Sequence, residues 1–458
     1  MAGAPTKSLP SASWPVPGET RPAPTPSASL PEPVPGLRGL TAYAVPKHPS
    51  PIDLPLHGNE GPPPPAALFD TLRDPEVLRR YPSAAPLEAF LAASLGVSKD
   101  RVLVTAGADE ALDRAFRTFL QAGDEVVLPS PTFVMLPHYA KVVGATVRAP
   151  AWPSETFPED EVLAATNEKT KVIALVSPNN PTGAIIPFET MVRVAAHAPQ
   201  AAVLVDFAYI ETADTDPTAE VLGTIPNALV FRTLSKVWGL AGLRVGYVVG
   251  PEPMIRALRA AGPPFSVTAP SVALALAHLT PGGPGEQRMR AYVAAVRAER
   301  ALLFSTLAEV GISPVESQAN FVFGRFAQDS HARWFRDGLA GLGIGIRIFP
   351  GEPGLSDGMR MTCPGDAAQT TRLIDAIRAV VRPTRRVEGP AALDAFLSEG
   401  GRGAWYFGSD LASLAKARQA GLVPIGLAEP ETEIAARMYS QGVARVVRDS
   451  NDIAESLL

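Results

Sequence analysis

A lysine set among apolar and small residues is the side chain here that most needs a chemical reason. In "TLSKVWGLAGLRVGY", residues 233–247, Lys236 and Arg244 are the only charged groups. One reading is packing: the lysine stem lies on apolar surface and its head reaches water. The other is reactivity: the amine is joined as an imine to a carbonyl cofactor, for which a dry setting is an advantage. The segment alone leaves both open. Other polar residues stand where short apolar runs end. "RVLVT" is followed by Ala106-Gly107-Ala108-Asp109-Glu110, which either presents backbone N–H groups and a helix N-terminus to an anion or only caps a helix. "VIALVS" is followed by Pro178 to Gly183, a turn in which Asn180 aims its amide into a crevice or merely makes the turn. After "AVLV" come Asp206 and Tyr209; a carboxylate there can cap a backbone or pair with a protonated ring nitrogen.

These residues act together only if the fold collects them. The runs "RVLVTAG", "DEVVLPS", "TKVIALVSP", "AAVLVDFAY" and "NALVFRTLS" alternate with helical stretches such as "ADEALDRAFRTFL". Strand then helix, repeated, predicts an α/β domain with a mainly parallel sheet. Ligands of such sheets sit at the carboxyl ends of the strands, where these polar residues fall. A chain of 458 residues with 46% hydrophobic content has room for two or three domains and a large core. Its net charge of -5 offers no basic footprint for nucleic acid, and no apolar run is long enough to span a bilayer. The expected partners are therefore small molecules. One cysteine, Cys363, leaves no internal disulfide and fits a reducing compartment, so a cytoplasmic location is expected. The six histidines form no ligand cluster, and no metal is expected. Residues 1–36, rich in Pro, Ala and Ser without an apolar signal core, read as a disordered leader.

Phosphate donors, a hydrogen-bonding Asn and Tyr, a carboxylate for a ring nitrogen, an imine lysine and a second cation make, in this order, a site for pyridoxal 5'-phosphate. The chain resembles the fold type I aminotransferases, and within them the histidinol-phosphate aminotransferase family. The resemblance runs from about Leu37 to Pro383 and rests on "LHGNE" (56–60), "RYPS" (80–83), "AGADEAL" (106–112), "PSPTF" (129–133), "SPNNPTG" (177–183), "DFAY" (206–209), the 233–247 segment and "MRMT" (359–362). It implies a large cofactor-binding domain over about 70–285 and a smaller α+β domain from 37–69 and 286–383. It also implies roles. Lys236 holds the cofactor and then moves the proton at the substrate's α-carbon; Asp206 keeps the pyridine nitrogen protonated; Asn180 and Tyr209 hold the phenolic oxygen. Ala108, Asp109, Ser235 and Arg244 cradle the phosphate, and Phe133 stacks on the ring. Tyr81 reaches the phosphate of a neighbouring subunit, which implies a homodimer. Arg347 and Arg360 grip the substrate phosphate, with Tyr43 and Asn59 adding contacts.

The activity implied is transfer of an amino group between histidinol phosphate and 2-oxoglutarate, a step of histidine biosynthesis. Aromatic amino acid transamination, a phosphothreonine-type decarboxylation on the same scaffold, and a non-catalytic cofactor-binding regulator are the alternatives. Two departures are visible: Phe207 where the family usually has Glu, and Phe133 where Tyr is common. Neither removes a polar group the chemistry requires. Beyond Pro383 the strand and helix runs resume over 384–458 as a small βαβ module. "YFGSDLASLAKARQAGLVPIGL" is similar to the last segment of haloacid-dehalogenase-type phosphatases, but Ser409 and Ser413 stand where magnesium carboxylates belong and Asp394 lacks its paired Asp. This module is expected to be a non-catalytic appendage, dispensable for the cofactor chemistry.

Overall fold

The computed structural model describes residues 32–40, 42, 48–153 and 155–453. The chain divides into two units, 1–40 and 41–458. In the first, Pro35–Leu37 makes one 3-10 turn, its fixed proline φ suiting the first helical position. The leader expected over 1–36 otherwise lies, up to residue 31, outside the described residues.

In the second unit, a short strand β1 (Leu54–Pro55) precedes a seven-stranded sheet built from β2 (Val102–Thr105), β3 (Glu125–Val127), β4 (Thr146–Arg148), β5 (Thr170–Val176), β6 (Ala202–Asp206), β7 (Ala228–Thr233) and β8 (Gly246–Val249). Their order is β2-β8-β7-β6-β5-β3-β4. Only β8 runs antiparallel to its neighbours. The central strands read as continuous Val, Leu, Ile and Ala because helices cover both faces. Successive side chains point to opposite sides, so Val203 and Val205 enter one apolar cluster while Ala202 and Leu204 enter another. Helices Ala85–Leu95 and Phe188–His197 close the first through Leu87, Leu91, Met191 and Val194. Helices Gly107–Phe119 and Glu252–Ala261 close the second through Leu112, Phe116, Ile255 and Leu258.

A smaller region carries β9 (Ser313–Val315), β10 (Phe321–Arg325), β11 (Ile344–Gly345), β12 (Arg347–Ile348) and β13 (Gly358–Thr362). Four of them form an antiparallel sheet ordered β12-β13-β10-β9, and β11 pairs in parallel with β1. The whole is an α/β fold with a large mixed sheet and a smaller α+β part.

The C-terminal residues form β14 (Arg386–Glu388), β15 (Trp405–Gly408), β16 (Val423–Leu427) and β17 (Arg445–Val447), all parallel and in sequential order. Three successive crossovers of one hand leave their helices on a single face of such a sheet. Leu393, Phe396, Leu414, Ala417 and Met438 of those helices pack there with Val387 and Tyr406. The other face, with Trp405, Phe407, Val423 and Ile425, is covered by the preceding region: it shares one cluster with Trp334, Phe335, Ile377 and Val380. Trp334 and Trp405 meet edge to face at 5.0 Å, and Trp405 Nε1 donates to the Ala379 carbonyl at 3.0 Å. Arg445 pairs with Asp337 at 2.8 Å. Packing therefore runs without a break across the expected boundary at 383, and removing the module would bare an apolar face. Trp405→Ala should cost the full-length protein about 3–5 kcal/mol in urea unfolding. A loss below about 1 kcal/mol would mean that the module is only loosely docked.

Candidate active site

The polar residues at the strand ends converge on one cavity of about 520 Å³. Asp206 closes β6, and two residues later the chain turns so that the Ala208 N–H donates to its Oδ1 at 3.0 Å. The carboxyl group is 5% exposed. Burial pushes it up to about 7, with Asp109 adding to the shift and the Ala208 N–H and Lys236 opposing it. Lys236 follows β7 by three residues; its Nζ donates to the Gly58 carbonyl at 3.1 Å and lies 5.6 Å from the centre of the Tyr209 ring. Tyr209 is buried, its ring edge-on to Phe321 at 5.1 Å, and its hydroxyl accepts from Asn59 Nδ2 at 3.1 Å.

Asn59 has φ of 57°, a left-handed conformation that Asn tolerates better than most residues. Its N–H donates to Thr362 Oγ1 at 3.0 Å, and Asn320 Nδ2 donates to its carbonyl at 3.0 Å. Arg360, nearly buried, donates from Nη1 to Asn180 Oδ1 at 2.6 Å and from Nη2 to the His57 carbonyl at 2.7 Å. Its guanidinium lies over the Phe321 ring at 5.4 Å. The turn that carries Asn180 has cis bonds at Ser177-Pro178 and Asn180-Pro181.

At the far end, helix Gly107–Phe119 begins without a side-chain cap, so its first N–H groups face the cavity wall unclaimed by Ala106. Gly246 makes this possible: a Cβ there would lie 2.4 Å from the Ala108 nitrogen. Thr233 Oγ1 donates to Ser235 Oγ at 3.0 Å, and Arg244 Nη1 stands 3.5 Å from the same oxygen. Arg244 also pairs with Asp109 at 3.1 Å, both about half exposed, an arrangement worth little by itself and open to a stronger anion.

The donor set fits pyridoxal phosphate. A helix N-terminus with Ser235 and Arg244 suits its phosphate, a desolvated carboxyl suits a protonated ring nitrogen, and an amine stands between them. Ala108, Asp109, Phe133, Asn180, Asp206, Tyr209, Ser235, Lys236, Arg244, Asn59 and Arg360 all line the one cavity. Arg347 does not. It stands opposite Arg360 across β12 and β13, but its guanidinium is turned to Glu352 at 3.7 Å and over the Phe349 ring. Tyr81 is 83% exposed and stacked on Phe265 at 4.7 Å, away from this chain's own cavity. Tyr43 lies outside the described residues. Sequence reasoning passed over Thr362 and Tyr139. Thr362 had a signal: it is two residues from Arg360 on a strand and so shares its face. Tyr139 lines the cavity from helix Met135–Val142 and carries no sequence signal beyond its helical position.

The raised Asp206 pKa has a thermodynamic consequence. Between 3.8 and about 7 the native state holds a proton that the unfolded state has released, so this group's contribution falls as pH rises through that window. Asp206→Asn should therefore stabilise the cofactor-free protein at pH 7.5 by about 1–3 kcal/mol while weakening pyridoxal phosphate uptake. Thermal unfolding and cofactor titration measure the two arms. A destabilised, tight-binding Asn variant would contradict the assignment.

The family described as aminotransferase class I and II matches residues 67–377. A histidinol-phosphate aminotransferase of Dinoroseobacter shibae is 34% identical over 71% of this chain and 90% of its own length. An aromatic amino acid aminotransferase of Cutibacterium acnes is 30% identical over 76% of this chain and 97% of its own. Among solved structures, a histidinol-phosphate aminotransferase from Sinorhizobium meliloti in complex with pyridoxal-5'-phosphate superimposes with a TM-score of 0.69 at 24% identity, covering 78% of this chain and 99% of that one. That last likeness carries the fold alone.

Proposed function

Since the chain belongs to the class I and II aminotransferases, a family that uses pyridoxal phosphate, we propose that it transfers an amino group between histidinol phosphate and 2-oxoglutarate. The observation that carries this reading is the convergence of Lys236, Asp206 and Arg360 on one cavity. The Dinoroseobacter shibae relative supports the choice of donor. When bound, pyridoxal phosphate supplies a carbonyl for the substrate amine and a ring that withdraws electrons from the α-carbon. Asp206 would pair with the ring nitrogen, regaining as a charge pair what burial withholds from the lone carboxylate. The start of helix Gly107–Phe119, Ser235 and Arg244 would hold the phosphate. Lys236 would anchor the cofactor and, once released, carry the proton at the α-carbon; in this structure its Nζ is held by the Gly58 carbonyl. Arg360, fixed by Asn180 and the His57 carbonyl, would take the donor's anionic group in a forked pair.

One observation favours a second reading. The half-buried Glu352 faces Arg347, and its carboxyl is pushed up by burial while Arg347 and Arg360 pull it down. With Arg347 engaged by that carboxylate, Arg360 alone meets the donor's anionic group, which suits a monoanionic donor such as an aromatic amino acid better than a phosphate dianion. A panel of donors against 2-oxoglutarate decides, with Lys236→Ala as the blank expected to show no turnover. If histidinol phosphate is the donor, Arg347→Ala should lower its kcat/KM by about tenfold or more and spare phenylalanine. Equal losses, or a clear preference for phenylalanine, would favour the aromatic reading; carbon dioxide release without 2-oxoglutarate would point to the lyase.

We further propose a cytoplasmic homodimer in which Tyr81 serves the neighbouring subunit's cofactor phosphate. Phe69, Leu78, Tyr81 and Phe265 are all more than half exposed, an apolar group that a second copy would cover. Mixing Tyr81→Phe with Lys236→Ala protein should yield hybrid dimers with one intact site. No recovered activity in the mixture would exclude service in trans.

A further inference from the structure

A second cavity, of about 760 Å³, lies between helix Ala367–Val381 and the C-terminal module. Arg372, Arg378, Arg382, Arg402 and Arg418 line it against one carboxylate, Asp375, over an apolar floor that includes Leu342. Two of the five are engaged: Arg372 with Asp53 at 2.5 and 3.0 Å, and Arg378 with Glu309 at 2.9 Å. Arg382, Arg402 and Arg418 make no ion pair with a carboxylate among the described residues. Five cations thus meet three carboxylates, counting Asp53 and Glu309. Arg418 is half-buried and donates to backbone carbonyls, Pro51 at 2.7 Å and Gln441 at 3.4 Å. Burial lowers its pKa, Asp53 opposes that shift, and the neighbouring Arg372 adds to it. The convergence is built into the backbone. At Gly343, with φ of +82°, a Cβ would lie 2.0 Å from Asp53 Oδ1, 2.9 Å from Arg372 Nη2 and 3.2 Å from Arg418 Nη2.

The two residues that Arg372 and Arg418 hold, Asp53 and Pro51, open the segment that enters the catalytic cavity. Asp53 and Leu54 donate their N–H groups to the Gly343 carbonyl, both at 3.0 Å, and Leu56 donates to Gly345 at 2.6 Å. The next three residues are His57, whose carbonyl holds Arg360, Gly58, whose carbonyl holds Lys236, and Asn59, whose amide holds Tyr209. Whatever competes with Asp53 for these arginines therefore pulls on a strap that ends at the reacting groups.

We propose that this arginine-lined cleft is an effector site for a small phosphate-bearing metabolite, and that filling it alters amino-donor binding by drawing Arg372 and Arg418 off Asp53 and Pro51. A phosphate group offers several acceptor oxygens to forked N–H donors, which a single aspartate in solvent cannot match. The ligand shifts donor affinity only by the difference in its own affinity for the strapped and released states, and the effect is reciprocal. Binding stands by itself; the effect on donor affinity rests on the transamination proposed above.

Inorganic pyrophosphate is the probe, titrated calorimetrically into the full-length protein loaded with pyridoxal phosphate, so that the cofactor's own phosphate cup is filled. Saturable binding is expected, weakened about tenfold by Arg402→Ala and again by Arg382→Ala, with basal turnover unchanged in both. Pyrophosphate should shift the KM of the amino donor in the wild type, and Asp53→Asn should remove that response while leaving pyrophosphate bound. No saturable binding, or binding untouched by both arginine substitutions, overturns the site. A KM shift that persists in Arg402→Ala reflects competition inside the catalytic cavity and overturns the coupling, as does a KM that pyrophosphate never moves. If no donor turns over in any variant, the transamination reading fails while the calorimetry still decides the site.

Discussion

A carboxyl group at the end of a buried strand, desolvated and without a cation close enough to compensate, is the constraint from which the rest of the catalytic cavity follows. Asp206 ends β6 because the parallel strands of the sheet place their carboxyl ends at the same crevice. Its pKa near 7 means that the polypeptide carries an unmet electrostatic cost there. Below about 7 a proton meets that cost, and above it a protonated ring nitrogen would do so with one hydrogen bond. The positive end of helix Gly107–Phe119, at the other end of the cavity, calls for the opposite charge. Two complementary demands separated by a cavity of this size describe a rod-like ligand, cationic at one end and anionic at the other.

The remaining groups are positioned from three parts of the chain. β7 and the loop after it bring Ser235 and Lys236; β13 brings Arg360 and Thr362; the segment after β1 brings His57, Gly58 and Asn59. This last segment ties the others together with main-chain carbonyls and one amide, so its own side chains are almost irrelevant to how it binds. Asn59 is the exception, since its left-handed backbone and its amide are both used. A small displacement of this segment would move Lys236, Tyr209 and Arg360 at once. Coupling of this kind explains why a distant hold on Asp53 matters to chemistry in which Asp53 takes no part.

Much of this was legible in the sequence for a local reason. The strand runs ending in Thr105, Val176, Asp206 and Thr233 are short, apolar and followed directly by the polar residues they present, so reading the strands located the site. Lys236 and Arg244 stood out as charges in an apolar run, and Arg360 came from the family resemblance. What could not be read depends on tertiary register. Arg347 and Arg360 were expected to act together on the substrate phosphate; β12 and β13 set them side by side, but the intervening loop returns Glu352 to Arg347 and Asp357 to Arg325, and no spacing rule foretells where a loop of that length sets its two acids. Asp410, beside the Ser409 that stands where a magnesium carboxylate belongs, caps helix Leu411–Gln419 by accepting from the Ser413 N–H at 2.8 Å.

The C-terminal module shows how topology decides partnership. Its strands alternate with helices as a self-sufficient α/β unit would, yet sequential order and one crossover hand place every helix on one side. The opposite face keeps Trp405, Phe407, Val423 and Ile425, too much apolar surface to leave in water. Helices Asp329–Gly341 and Ala367–Val381 supply the missing layer, and they can do so only because they already back the small antiparallel sheet on their other side. Where two curved layers meet along a line, their rims diverge, and the divergence here is lined by the long polar side chains that a helix turns away from its core. Docking an α/β unit against the catalytic region thus creates the arginine cleft as a geometric consequence, beside the strap that leads to Lys236.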